Sequence, residues 1–262
     1  MKWSDRIIFL LGCLLVFLSG AERAAGSEIM VSAALSLKAP FEHMGRLFEG
    51  KHPGTKVHFN FGASGMLQRQ IEGGAPADIF ASASPKEMDS LEAGGFLVRG
   101  TRSNFAGNTI VLIVPSSPRS RIRSFDDLRK KEVRRIAIGN PASVPAGKYA
   151  EEVLKSSGTW EAVKDKLVLC EHVRQVMDYT ARNEVDAGVV FRTDAGNSKD
   201  LVIISEAPEQ SHKPVLYVIA AIKGSKQEML AKEFITLLLS DEGRRILTKY
   251  GFRTPLPSRQ GK

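Results

Sequence analysis

Cysteine is scarce in this chain, with two in 262 residues, and long apolar runs are confined to the N-terminus. Cys13 lies in a leader-like stretch, where Lys2 and Arg6 give a basic start, Ile7 to Leu18 form an apolar core of 12 residues, and small residues follow. That core is shorter than the roughly 20 residues needed to cross a bilayer. Residues 1–26 therefore read as a signal peptide removed on export, with cleavage after Ala21 or after Gly26. A lipid-anchor reading through Leu10-Leu11-Gly12-Cys13 would cut inside the apolar core, so the later cleavage is preferred. Its removal leaves Cys170 alone, which excludes an internal disulfide even in an oxidising compartment.

Other absences narrow the function classes. The five histidines, His43, His52, His58, His172 and His212, show no metal-ligand spacing, and one remaining cysteine argues against a zinc site. There is no repeat, low-complexity linker or long charge run, so a string of separate domains is not expected. The basic cluster Arg129-Lys130-Lys131, with Arg134 and Arg135 nearby, has no interleaved aromatics and reads as a solvated face; no nucleic-acid partner is expected. A serine-nucleophile elbow requires Gly-x-Ser-x-Gly, and Gly62-Ala63-Ser64-Gly65-Met66 fails it. Asp78 has the position of a strand-end or capping residue rather than a base.

What remains is substantial. Residues 27–262 suffice for one large domain or two lobes of about 100 residues. The leader carries three basic and two acidic residues, so the net charge falls from +8 to about +7 without it, an excess that favours anionic ligands in general. Short β-rich runs alternate with helical patterns, the mark of α/β units around mostly parallel sheets. Strands are predicted at 29–33, 57–61, 78–81, 109–114, 135–138, 167–170, 187–190, 201–204 and 216–222. Helices are predicted at 38–50, 65–73, 85–93, 124–131, 146–156, 173–183, 226–239 and 241–249. The segments around 105–109 and 213–216 are candidates for crossings between two lobes, with 27–107 plus 215–262 in lobe I and 108–214 in lobe II.

Four strand-to-helix turns share one chemical character. Phe59-Asn60-Phe61 runs through Gly62-Ala63-Ser64-Gly65 into a helix, a turn that presents N–H groups and a hydroxyl with no Lys or Arg inside it. Ser36 follows Ser32-Ala33-Ala34-Leu35, and if Leu37 or Lys38 caps the helix before Pro40, its hydroxyl is free to face a ligand. Pro145 pre-sets a helix whose first free N–H groups belong to Ala146 and Gly147. Val173 opens the helix after Glu171-His172 and offers a backbone N–H. Neutral donors at four helix starts point to an oxyanion cradle.

The motifs Ala33-Ala34-Leu35-Ser36-Leu37, Arg69 to Phe80, Val144-Pro145-Ala146-Gly147-Lys148-Tyr149-Ala150, Val173-Arg174, Gly188-Val189-Val190-Phe191 with Asp194-Ala195, and Lys249-Tyr250-Gly251-Phe252 occur in one order. In that order and spacing the chain resembles the periplasmic molybdate-binding proteins of ABC uptake systems. The resemblance implies an α/β, two-lobed type II periplasmic-binding-protein fold, each lobe a mostly parallel sheet flanked by helices, with the ligand in the interlobe cleft. It implies that Ser36 and Ser64 hold a tetrahedral oxyanion from one lobe and the N–H groups of Ala146 and Val173 from the other. The family's fifth contact is a tyrosine hydroxyl, and that position here is Phe191, which has none. The implied protein is a periplasmic monomer, not an enzyme and without a cofactor, that captures molybdate or tungstate and delivers it to an inner-membrane ABC permease. Binding of another small oxyanion, such as sulfate or a phosphonate, is the alternative that Phe191 keeps open. A hydrolase using Ser64 or Ser36 with Asp78 and His172 or His212 is a distant third.

Overall fold

A computed structural model describes residues 27–116, 121–196 and 198–254. Residues 1–26, expected to be a signal peptide, and Cys13 within them lie outside the described residues. Ten strands form two five-stranded sheets. The first contains β1 (Glu28–Ala34), β2 (Lys56–Gly62), β3 (Ile79–Ser82), β4 (Ser103–Gly107) and β10 (Leu216–Ala221), in the order β2-β1-β3-β10-β4. The second contains β5 (Ile110–Pro115), β6 (Ile136–Gly139), β7 (Leu167–Cys170), β8 (Ala187–Phe191) and β9 (Leu201–Glu206), in the order β7-β6-β8-β5-β9.

The two sheets are built alike. In each, three strands run parallel, β2-β1-β3 and β7-β6-β8, while β10 and β5 lie antiparallel to their neighbours on both sides. Those antiparallel strands are the ones that arrive from the other sheet. The chain leaves the first sheet after Gly107 and enters the second at Ile110; it leaves the second after Glu206 and returns at Leu216.

Helices cover the sheets: α1 (Lys38–Lys51), α2 (Ser64–Glu72), α3 (Pro85–Ala93), α4 (Pro145–Ser156), α5 (Trp160–Val163), α6 (Val173–Ala181), α7 (Arg192–Ala195), α8 (Glu228–Leu239) and α9 (Asp241–Lys249). Because helices lie against them, strands β3, β5, β6 and β8 are apolar except for Ser82 and are buried at every position. Ser84 caps α3 and Ser240 caps α9, each hydroxyl accepting an N–H two or three residues on.

Two sequence expectations need correction. Residues 124–131 hold a 3-10 helix, Phe125–Arg129, rather than an α-helix. Strand β4, Ser-Asn-Phe-Ala-Gly, was not predicted, because it lacks the β-branched alternation that marks a strand; its pairing with β10 supplies what its residues do not.

Candidate functional site

A small cavity opens where six strand ends meet, at Ala34 of β1, Gly62 of β2, Phe191 of β8, and the turns that follow β3, β6 and β7. In α/β sheets the carboxyl ends of strands are where ligands sit. Ser36, Ser64, Ala146, Val173 and Phe191, the five positions singled out in the sequence, all line it. Two come from the first sheet's turns and three from the second's, so the structure brings all five together from segments far apart in the chain.

The donors are free for physical reasons. Ser64, Ala146 and Val173 fall in the first turn of α2, α4 and α6, where an N–H has no intrahelical partner, and none of the three bonds elsewhere among the described residues. All three are buried, and a buried N–H without a partner is costly unless a ligand or water takes it. Ser36 sits in a 3-10 turn, Leu35–Leu37; Leu37 takes the cap position of α1 with no side-chain bond, so Ser36 is not the cap. Gly147 departs from expectation, since its N–H bonds Val144 O at 3.0 Å and is already used.

The serine hydroxyls are prepared as donors. Ser64 Oγ accepts the Ala83 N–H at 3.1 Å, which leaves its own proton without an acceptor in the protein. Ser36 Oγ lies 3.0 Å from the Tyr217 hydroxyl. Counting these two hydroxyls and the N–H groups of Ser36, Ser64, Ala146 and Val173, six donors border the cavity.

Among the described residues, no Lys, Arg, Asp or Glu lines the cavity, and His172 is the one titratable residue in its wall. His172 uses Nδ1 to accept the Gln175 N–H at 3.1 Å, capping α6. The cavity has about 20 Å³ of room for water-sized occupants, against the roughly 10–15 Å³ that one water requires, so it suits a single compact ligand.

Backbone contacts set the spacing. A Cβ on Gly147 would lie 1.8 Å from Gly139 O, so only glycine lets the start of α4 rest on the end of β6 and aim Ala146 inward. Across the cavity mouth the Gly65 N–H donates to Ser143 O at 3.1 Å, a direct bond between turns of the two sheets. Gly65 also has Ser143 Cα at 3.1 Å from where its Cβ would be, so the two turns approach as closely as backbone allows.

Phe191 is 1% exposed, with its ring 6.2 Å from Tyr149 and 5.7 Å from Tyr217. Neither tyrosine lines the cavity: Tyr149 OH donates to Pro214 O at 3.4 Å, and Tyr217 OH stands behind Ser36. Burial, with Glu152 and Glu87 adding to it, raises the Tyr149 hydroxyl well above its ordinary pKa, and burial does the same for Tyr217. Asp194, three residues beyond Phe191, is half-buried, but its Oδ2 is enclosed and unpartnered, and desolvation lifts its pKa to about 7.

The candidates for other chemistry are dispersed. Asp78 accepts the Met30 N–H at 2.7 Å and the Ser225 hydroxyl, a strand-end pin away from the cavity. His212 packs against Tyr149 and does not line it. Thr193, two residues beyond Phe191, does not line the cavity; its hydroxyl accepts from Asn108 Nδ2 at 2.8 Å. The residue missed in the sequence is Tyr217, which carries no local motif; its place depends on the return crossing.

Two sheets joined by two connections, with a small cavity where their strand ends meet, have the architecture of a solute-binding protein. Residues 29–253 match the family of bacterial extracellular solute-binding proteins, and the chain belongs to that family. It is 40% identical to YvgL of Bacillus subtilis over 224 residues, 86% of this chain and 85% of that one. It is 35% identical to the molybdate-binding protein ModA of Haemophilus influenzae over 244 residues, covering 91% of this chain and 95% of the relative. Among solved structures, the periplasmic molybdate-binding protein of Azotobacter vinelandii superposes with a TM-score of 0.78 at 24% identity, covering 87% of this chain and all of that one. That likeness shows the fold, type II of the periplasmic binding proteins.

Proposed function

We propose that this protein captures molybdate, and tungstate with it, outside the cytoplasm and hands it to an ABC permease. The observation that carries the reading is the donor set: six hydrogen-bond donors and no acidic side chain around one small cavity. Such a site suits a ligand that needs only acceptors matched, as molybdate, tungstate and sulfate do when fully deprotonated; hydrogenphosphate keeps a proton that has no acceptor here. The 35% identity to a molybdate-binding relative across nearly the whole chain supports molybdate within that class.

Ser36, Ser64, Ala146 and Val173 are the ligand contacts in this reading, and Phe191 is a packing wall. Lobe I is 27–107 plus 215–262 and lobe II is 108–214; donors from both make the anion favour the closed form, which the permease recognises. The protein acts as a monomer without catalysis, cofactor or nucleic acid, after export by residues 1–26 to the periplasm. The absent hydroxyl at Phe191 favours, as a second reading, a different oxyanion such as sulfate or a phosphonate.

Thermal melting tests the proposal. A ligand at 100 times its Kd adds about 2.7 kcal/mol to stability, so saturating molybdate or tungstate should raise the Tm by several degrees. No shift with either, together with a shift from sulfate or a phosphonate, would transfer the site to the second reading.

A further inference from the structure

The two connections between the sheets meet behind Ser36. Asn108 lies on the outgoing connection, between β4 and β5, and Tyr217 is the second residue of β10, just after the return. Both are buried, Asn108 at 6% and Tyr217 at 0% exposure. Asn108 Nδ2 donates to Tyr217 Oη at 3.1 Å, and Tyr217 Oη is 3.0 Å from Ser36 Oγ.

The direction of the protons in this chain follows from one backbone group. The Thr109 N–H donates to Asn108 Oδ1 at 2.9 Å, and an N–H can only donate, so that end of the amide is the oxygen and the other end is the NH₂. Its two protons go to Thr193 Oγ1 and to Tyr217 Oη. Tyr217 Oη therefore accepts from Asn108 and sends its own proton to Ser36 Oγ, its one other hydrogen-bond neighbour among the described residues. Ser36 Oγ accepts from behind and has its proton left for the cavity.

We propose that Asn108 and Tyr217 are positioning residues that make Ser36 an obligatory donor, and so restrict the site to fully deprotonated oxyanions. This rests on the oxyanion-binding reading above and adds the device that enforces its selectivity. Each bond in a chain of this kind polarises the next, so the Ser36 proton is a stronger donor than that of an isolated serine. Without the Tyr217 hydroxyl, Ser36 is free to rotate and accept, and the proton of hydrogenphosphate then finds a partner. The relay is assembled from the connections about which the sheets hinge, so the orientation of a ligand-facing hydroxyl depends on hinge geometry.

The test is a double-mutant cycle. Wild type, Tyr217→Phe, Ser36→Ala and the double variant are titrated calorimetrically with molybdate, tungstate, sulfate and inorganic phosphate near neutral pH, and the cycle is scored on the tightest of these. Tyr217→Phe should melt within a few degrees of wild type yet bind that anion roughly 10- to 100-fold more weakly, the scale of a lost hydrogen bond to a charge. Ser36→Ala should cost much less in the Tyr217→Phe background than in wild type, and the preference over phosphate should narrow about tenfold. A merely structural role gives additive losses and an unchanged preference; either result overturns the relay. If Tyr217→Phe does not fold, Asn108→Ala, which keeps the phenol ring in place, carries the same cycle with the same expected coupling. Wild type that binds none of the four anions overturns the oxyanion reading and the relay together, whereas tight wild-type binding with additive losses overturns the relay alone.

Discussion

The two halves of the cavity present the same chemistry by different means. The first sheet's half adds the side-chain hydroxyls of Ser36 and Ser64 to its N–H groups, the first hydrogen-bonded to the Tyr217 hydroxyl and the second accepting the Ala83 N–H. The second half offers bare backbone N–H groups at Ala146 and Val173, together with the Phe191 ring. A hydroxyl is lost with one side-chain substitution. A backbone N–H survives most substitutions at its own position and is lost only when the helix that aims it moves. The first half is thus chemically fragile and the second mechanically fragile.

That contrast breaks most visibly at Gly147. Gly147→Ala places a methyl 1.8 Å from Gly139 O and must lift the start of α4, carrying Ala146 away from the cavity. The expected cost is about 1–3 kcal/mol of stability, with oxyanion binding abolished at concentrations that saturate wild type; melting and titration of the same sample check both. Retained wild-type affinity would show that α4 does not aim Ala146.

Second in size is a matched pair of substitutions. Ser64→Ala should weaken binding roughly 10- to 100-fold, from loss of a bond to a charged ligand. Val173→Ala, at the corresponding place in the other half, keeps its N–H and should stay within a few-fold. Equal losses at the two positions would erase the distinction between the halves.

Asp194 gives a pH signature. Its carboxyl has an unfolded pKa near 3.8 and a folded value lifted by burial to about 7, so the folded state holds the extra proton between them. The penalty for ionising the buried group is absent below about pH 4, accumulates as pH rises to 7 and is constant above, on the order of a few kcal/mol. Urea midpoints of wild type should fall over that window relative to those of Asp194→Asn. Parallel profiles would mean that Asp194 is solvated in the folded protein.

Phe191→Tyr has the smallest expected effect. The six donors already surround the cavity, and the ring is packed between Tyr149 and Tyr217, so a new hydroxyl should raise affinity less than about tenfold. A larger gain would mark Phe191 as a deficit in the site rather than a wall.

What was legible in the sequence was local. Each cavity-lining turn is a strand end, a small residue or proline, and a helix start, and all of that lies within about ten residues. Four of the five positions, Ser36, Ser64, Ala146 and Val173, therefore follow from local pattern, while Phe191 follows only from the family resemblance. What was hidden depends on pairing across the chain. The five residues of β4 carry no strand pattern of their own and are a strand because β10 lies beside them. Gly147 looked like a free donor because nothing local shows that Val144 O folds back to accept its N–H. Tyr217, 181 residues from Ser36, reaches it only once both connections are in place. The groups that line the cavity are readable in the sequence, and the groups that stand behind them are not.

The central claim is that two unlike half-sites close on one fully deprotonated oxyanion. Competitive calorimetric titration of the native protein tests it most directly. The account predicts one molybdate per chain, displaced by tungstate and not by equimolar phosphate. No heat with molybdate or tungstate, or phosphate binding as tightly as either, would contradict it.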